Sequence, residues 1–143
     1  PDARPPLQWS ETRNVKWKTA LPGRGSGSPV VWEDRVFVVS AVPADGRSGF
    51  DGRRLSKLKF KLFCFDRRTG KLRWVKTVTE AVPHEGTHST NGFASASPCS
   101  DGEHVYAHFG SRGLYCYKMD GSFVWKRDDF GRMATRNEFG EGS

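Results

Sequence analysis

One segment of the chain reads Cys64-Phe65-Asp66-Arg67-Arg68-Thr69-Gly70-Lys71-Leu72-Arg73-Trp74, and its pattern predicts two strands joined by a tight turn. The Asp66 carboxylate can accept hydrogen bonds from the main-chain N–H groups of such a turn. Gly70 can adopt a left-handed conformation without steric cost. The segment is therefore predicted to be a β-hairpin.

A shortened version of the same segment occurs near the C-terminus. It reads Cys116-Tyr117-Lys118-Met119-Asp120-Gly121-Ser122-Phe123-Val124-Trp125. Its cysteine follows Cys64 by 52 residues, and its tryptophan follows Trp74 by 51. A period near fifty residues, built from strand patterns with no helical pattern between them, is typical of a β-propeller.

Two further strands are predicted ahead of each hairpin. Ser28-Pro29 opens an apolar pair of strands in the first repeat, and Ser97-Pro98 opens the corresponding pair in the second. The connection between the second and third strands is long in the first repeat, at 42–54, and a tight turn in the second, at Gly110–Gly113. The predicted fold is all-β, with antiparallel four-stranded blades: about two blades plus flanking strands, a partial β-propeller.

A closed propeller needs roughly four to eight blades, so we expect the chain to be a piece of a longer array. The predicted organisation has six parts: an N-terminal arm at 1–13, a strand completing a neighbouring blade with its loop at 14–27, a first blade at 28–78, an inter-blade loop at 79–96, a second blade at 97–128 and a lead-in to a further blade at 129–143.

Charge and cysteine content narrow the function classes. The formal net charge is +7, but much of the basic charge alternates with Leu and Phe between Arg53 and Lys61, which predicts a solvated strand face and argues against a nucleic-acid partner. No apolar run is long enough to span a membrane. Three cysteines cannot form a full disulfide framework, and the apolar surroundings of Cys64 and Cys116 predict small buried hydrophobes.

The pattern at 64–74 resembles the tryptophan-docking motif of pyrroloquinoline-quinone-type β-propeller repeats, whose usual first residue is Ala where this chain has Cys64. The resemblance extends over about 14–143. It implies stacked four-stranded blades in which the tryptophan of the motif packs between neighbours. The structural motif residues predicted on this basis are Asp66, Thr69, Gly70, Trp74, Asp120, Gly121, Trp125 and Trp17.

That family includes quinoprotein dehydrogenases, outer-membrane assembly scaffold lipoproteins and extracytoplasmic sensor domains. The resemblance therefore favours an extracytoplasmic, periplasmic or secreted, location. The predicted function is a non-catalytic protein-interaction scaffold whose loops present a binding surface, with a protein partner or self-association through exposed blade edges. The alternative is a fragment of a quinone-dependent dehydrogenase, and a third class is an anion-binding surface with steep salt dependence.

Two patterns bear on catalysis. His84-Glu85-Gly86-Thr87-His88 matches H-E-x-x-H, in which two histidines bind zinc, but that geometry needs a helix, and Pro83 and Gly86 predict a loop instead. The chain lacks the adjacent cysteines that the resemblance implies for a quinone site. No catalytic, cofactor-binding or metal-binding residues are predicted. His104 and His108 are expected to be a solvated or packed pair on one strand face.

Overall fold

The chain forms two four-stranded antiparallel sheets. The computed structural model describes residues 4–46, 56–133 and 140–141. The strands run in chain order within each sheet. Their bounds are β1 Val30–Trp32, β2 Arg35–Pro43, β3 Leu58–Asp66 and β4 Leu72–Ala81 in the first sheet, and β5 Cys99–Ser100, β6 His104–His108, β7 Leu114–Lys118 and β8 Phe123–Arg127 in the second.

The all-β prediction is confirmed. Among the described residues the only helical element is a single 3-10 turn, Gly110–Arg112, which lies where the sequence predicted a tight turn. Each sheet contains the four strands expected of one blade, and two sheets do not close a ring.

Strand β3 pairs with β2 on one side and β4 on the other, and both of its faces are buried. Phe60, Leu62 and Cys64 lie on one face and are fully buried. Phe63 and Phe65 lie on the other and are also buried. A strand buried on both sides needs cover on both sides, and two different parts of the chain supply it.

The main core lies between the two sheets. Phe37 and Phe60 of the first sheet belong to the same buried cluster as Val105, Ala107 and Tyr117 of the second. The Phe60 ring also meets the Phe109 ring edge to face, with centroids 5.4 Å apart. The second sheet therefore covers one face of the first.

The opposite face of the first sheet is covered by the segment before β1. Trp17 and Leu21 pack against a cluster of Val36, Phe63 and Phe65. The sequence predicted residues 14–19 to be a strand, but the structure assigns no strand there. A strand needs main-chain partners, and the blade that 14–27 was expected to complete is not among the described residues.

The segment before β1 lies beside two other parts of the chain, the end of β2 and the segment before β5. The Ser26 N–H donates to the Ala94 carbonyl at 3.0 Å, and Arg24 exchanges two main-chain hydrogen bonds with Ala41. A Cβ on Gly25 would lie 2.5 Å from the Val39 carbonyl oxygen, so this close approach requires glycine.

Some predicted boundaries change. The first blade was predicted to end at 78, but β4 continues to Ala81 and shortens the inter-blade loop predicted at 79–96. Residues 47–55, most of the predicted long connection, lie outside the described residues, as do 1–3 of the N-terminal arm and 134–139 and 142–143 of the lead-in.

Candidate functional site: the tryptophan seams

The turn at Asp66–Gly70 is held by one carboxylate. Asp66 Oδ1 accepts hydrogen bonds from the main-chain N–H groups of Arg68 at 3.0 Å and Thr69 at 2.8 Å, and from the Thr69 hydroxyl at 2.9 Å. Asp66 Oδ2 accepts from the Arg73 guanidinium. The hydrogen bond from Arg73, followed by those from Thr69, holds the pKa of Asp66 well below its usual range.

Trp17 lies on this turn. Its indole N–H donates to the Arg67 carbonyl at 2.8 Å, and the Thr19 hydroxyl donates to the Gly70 carbonyl at 2.8 Å. Gly70 has φ +72°, and a Cβ there would lie 2.6 Å from the Trp17 ring. Gly70 is therefore required by its backbone conformation and by the indole that covers it.

Trp74 makes the same arrangement one repeat later. Its indole N–H donates to the Met119 carbonyl at 3.1 Å, and a Cβ on Gly121 would lie 3.0 Å from its ring. Gly121 has φ +85°, and the Asp120 carboxylate accepts from the Ser122 N–H at 2.8 Å. Trp74 of the first sheet is thus seated on the β7–β8 turn of the second.

Trp125 occupies the equivalent position in the second sheet but is not seated. Its side chain is 39% exposed, and no hydrogen bond joins its indole N–H to a described residue. Its ring lies 6.1 Å from Tyr106 at an interplanar angle of 46°. Trp74 lies 5.9 Å from Phe37 at the same angle. Trp125 is therefore oriented relative to Tyr106 as Trp74 is relative to Phe37, where Trp74 contacts the β7–β8 turn.

Around Trp125 the second sheet presents an aromatic face, here called the outer aromatic surface, made of His104, Tyr106, His108, Trp125 and Phe130. The three β6 members alternate with the buried Val105 and Ala107. His108 meets Phe130 edge to face at 6.2 Å.

Tyr106 is the anchored member of this surface. Its hydroxyl donates to Asp101 Oδ2 at 2.6 Å, which raises the pKa of Tyr106 to about 12. The Tyr106 hydrogen bond is also the largest cause of the lowered pKa of Asp101, followed by the main-chain N–H of His104.

One tryptophan contact escaped the sequence analysis. Trp32, at the end of β1, lies against Gly102, where a Cβ would come within 2.6 Å of the ring. Gly102 has φ +98° and follows Asp101, whose carboxylate accepts from the main-chain N–H groups of Glu103 and His104. The Asp101-Gly102 pair after the short strand β5, a typical turn pair, was the available signal.

The H-E-x-x-H segment contains no helix, and the group of possible metal ligands among the described residues includes His84 but not His88. His88 Nδ1 lies 2.8 Å from the Thr90 hydroxyl. His84 Nε2 lies 2.9 Å from the Met133 carbonyl oxygen and 3.3 Å from Glu141 Oε1. Because a carbonyl oxygen can only accept, His84 Nε2 carries the hydrogen in this arrangement.

His84, Glu85 and Glu141 are the described residues whose ligand atoms come close enough to hold a metal ion, within 4.8 Å of one another. Glu141 already accepts hydrogen bonds from the Ser111 N–H and the Arg112 guanidinium, both at 2.8 Å, and from the Ser111 hydroxyl. Its carboxylate is therefore engaged by donors of the second sheet. The contact could not be predicted from sequence patterns, because Glu141 lies 30 residues from Ser111 and 29 from Arg112 along the chain.

The three thiols differ in environment. Cys64 and Cys116 are buried, and Cys99 is exposed. Burial raises the pKa of Cys64 to about 11 and also raises that of Cys116. Cys64 pairs with Trp74 across β3 and β4, and Cys116 pairs with Trp125 across β7 and β8. The predicted role as small buried hydrophobes is confirmed for these two.

Residues 7–128 match the family described as outer membrane protein assembly factor BamB, a family of PQQ-like repeats. The chain belongs to this family. The matched range includes both sheets and the segment that bears Trp17. No curated protein matches the chain.

Membership of the BamB family supports a propeller domain built from PQQ-like repeats, and it is consistent with an extracytoplasmic location. It also suggests interaction with other proteins. Within the described ranges, no helix has the length and apolar character needed to cross a membrane. Because a shared fold does not determine chemistry, the role of the chain has to be argued from its surfaces.

Proposed function

We propose that the chain is a segment of a non-catalytic β-propeller scaffold that works by binding protein. The observation that carries the proposal is the outer aromatic surface, on which Trp125 and Phe130 are 39% and 41% exposed beside Tyr106 and His108. Exposed aromatic side chains that lie together mark interaction sites, because Tyr and Trp bury a large area at little entropic cost.

A non-catalytic role is also supported by the side chains in the repeats that could take part in chemistry, because they are engaged in structural contacts. Asp66 and Asp120 are occupied in holding their turns, and Glu141 binds Ser111 and Arg112. Cys64 and Cys116 are buried on the strands next to those that bear Trp74 and Trp125. These side chains contribute to the architecture, and the aromatic surface offers contact area.

The proposal is tested with a photo-reactive benzoyl-phenylalanine in place of Trp125, and in a matched control in place of Trp9, which is exposed on the N-terminal arm. After irradiation in an extract of the source organism, a discrete protein adduct is expected from position 125 and none from position 9. Adducts of equal yield from both positions would contradict a specific surface.

A second experiment tests the alternative that the chain is a fragment of a quinone-dependent dehydrogenase. The chain is titrated with pyrroloquinoline quinone and calcium, and the quinone absorbance is followed. We expect no saturable change. Stoichiometric quinone uptake would overturn the non-catalytic role in favour of a dehydrogenase fragment.

A further inference from the structure

We propose that the loop after β4 and the chain that follows β8 together bind a divalent transition-metal ion, with zinc as the expected occupant. The ligands are the His84 imidazole, the carboxylates of Glu85 and Glu141, and the main-chain carbonyl of Met133. The site lies apart from the outer aromatic surface and does not depend on the proposed function. It also departs from the sequence analysis, which predicts no metal-binding residues.

Four ligand atoms from three separate stretches of chain converge at this point. His84 Nε2, one carboxylate oxygen of Glu85 and one of Glu141 all lie within 4.8 Å of one another. The Met133 carbonyl oxygen lies 2.9 Å from His84 Nε2. None of the four residues belongs to a strand. Their proximity is therefore not a by-product of sheet pairing.

The spacing of these atoms fits the ligands of one metal ion. With metal–ligand distances of about 2.1 Å, two ligands at about 90–110° to each other are separated by about 3.0–3.4 Å. His84 Nε2 lies 3.3 Å from Glu141 Oε1 and 2.9 Å from the Met133 oxygen. An ion can therefore be accommodated with small movements of these side chains.

The Glu141 carboxylate is held by outer partners, as the carboxylate ligands of metal sites commonly are. Its Oε2 accepts from the Arg112 guanidinium at 2.8 Å, and its Oε1 accepts from the Ser111 hydroxyl. The side chains of Glu141 and Arg112 are each only 8% exposed. A carboxylate offers about four lone-pair sites, so Oε1 keeps a lone pair for a cation after these contacts.

A buried donor next to Glu141 gives an independent indication of a bound ion or water. Arg112 Nε is buried and has no hydrogen-bond acceptor within 4–46, 56–133 and 140–141. Because buried polar groups are almost always paired, an orphan of this kind indicates that a water or ion belongs beside it. The side chain that carries the orphan is the one that fixes Glu141.

The main chain already brings the two parts of the site together. A Cβ on Gly140 would lie 2.8 Å from the Thr87 Cβ, so the chain at 140–141 passes directly against the loop after β4. The Met133 N–H donates to the Ser111 hydroxyl at 2.6 Å. Little ordering is therefore required when the ion binds, which favours affinity. The bound ion would fix this loop to the chain that follows β8.

The ligand set selects the metal. An imidazole nitrogen favours transition metals over calcium and magnesium, and zinc binds such sites more tightly than manganese or iron. Binding breaks the Nε2–H bond of His84 and forms a metal–nitrogen bond, and the proton goes to solvent. In the helical H-E-x-x-H arrangement the second histidine is a ligand and the glutamate is a base, whereas here Glu85 binds the ion and His88 does not.

The test measures zinc binding by the untagged, chelator-treated chain carrying Cys99→Ser, because the exposed Cys99 thiol would itself bind zinc. Competition with a chromophoric chelator is expected to give one zinc per chain, which equal concentrations of calcium or magnesium do not displace. Zinc at about 100 times its Kd should raise the melting temperature by at least ~5 °C. His84→Ala should weaken zinc binding by at least ~100-fold, more than the loss of an outer partner.

Two further variants make the test specific to these ligands. Glu85→Gln keeps the size of the side chain and should weaken zinc binding by at least ~10-fold. His88→Ala removes the other histidine of the same loop, so it is the matched control and should leave zinc affinity unchanged. Circular dichroism without zinc checks that each variant is folded, and Glu85→Gln decides if His84→Ala is not.

Three results would overturn the proposal: no saturable zinc binding by the folded chain, unchanged affinity in the folded ligand variants, or tighter binding of calcium than of zinc. Equal losses from His84→Ala and His88→Ala would also overturn it, because the second histidine would then be a ligand. None of these results bears on the scaffold role, which is tested separately at Trp125.

Discussion

Gly70 shows how much a single residue contributes to a seam. Its backbone is left-handed, and the Trp17 ring occupies the space that a side chain would fill. Gly46 has the same φ of +72°, but no atom of the described residues lies within 4 Å of the position of a Cβ there. Substituting each glycine in turn therefore separates the free-energy cost of the left-handed conformation from the cost of displacing the Trp17 indole.

We expect Gly46→Ala to lower the free energy of unfolding by about 1 kcal/mol, the usual cost of a left-handed alanine. Gly70→Ala should cost at least ~1 kcal/mol more, because its methyl group would clash with the Trp17 ring. Urea unfolding of the two variants measures the difference. Equal losses would mean that Trp17 does not lie on the turn in solution.

The cysteines give a second prediction at this scale. With a pKa of about 11, Cys64 is ionised in only about a thousandth of molecules at pH 8, and it is also buried. We expect Ellman's reagent to modify one thiol, Cys99, rapidly in the native chain and all three in urea. Cys99→Ser should abolish the fast phase. A fast phase that survives this substitution would contradict the burial of Cys64 and Cys116.

At the scale of elements, the first sheet meets turns of the second through two tryptophans, Trp74 on the β7–β8 turn and Trp32 at Gly102. The Trp74 indole N–H donates to a turn carbonyl, whereas that of Trp125 has no such partner in the part of the chain that the structure describes, although both lie on the last strand of a sheet. Replacing a large buried side chain with alanine costs about 3–5 kcal/mol, whereas an exposed one contributes little.

Trp74 is partly buried against the main core and donates a hydrogen bond, so Trp74→Ala is expected to cost about 2–3 kcal/mol, and Trp125→Ala less than about 1 kcal/mol, by denaturant unfolding of the chain as it stands. The two variants remove the same side chain from equivalent positions, so each controls for the other. A large loss from Trp125→Ala would show that this indole is already buried in solution.

The Asp66 turn predicts a pH dependence. Hydrogen bonds from Arg73 and Thr69 lower the folded-state pKa of Asp66 below its ordinary 3.8. Its contribution is therefore fully present above about pH 4 and is lost as the pH falls through the lower, folded-state value. Asp66→Asn should lower the melting temperature at pH 7 and by much less at pH 2. A constant difference across that range would contradict an ionised, hydrogen-bonded Asp66.

For the whole molecule, the recurrence of a cysteine, a glycine turn and a tryptophan about every fifty residues predicted the two sheets. This was possible because turn chemistry and strand alternation are local in sequence. The failure at 14–19 has a physical cause, since a strand forms only where main-chain partners exist. The contacts of Glu141 with Ser111 and His84 could not be predicted, because they join distant loops that only the packed sheets bring together.

Residues 15–19 have no strand partner within 4–46, 56–133 and 140–141, the described ranges, and this predicts uneven stability across the chain. These residues are held by the side chains of Trp17 and Thr19, whereas β3 is paired on both sides. We expect the amides of 15–19 to exchange with solvent at least ~100-fold faster than those of 60–64 in native-state hydrogen exchange. Comparable protection would indicate that another sheet pairs with the segment in solution.

Both seams end on a main-chain carbonyl, that of Arg67 in one and Met119 in the other, and this has an evolutionary consequence. An acceptor that every amino acid carries lets the residue around it drift without loss of the contact, provided that the glycine is kept. Duplicating or exchanging a repeat therefore does not require matching substitutions in its neighbour. Arrays of this kind can lengthen by recombination, with each new unit compatible with the tryptophan that precedes it.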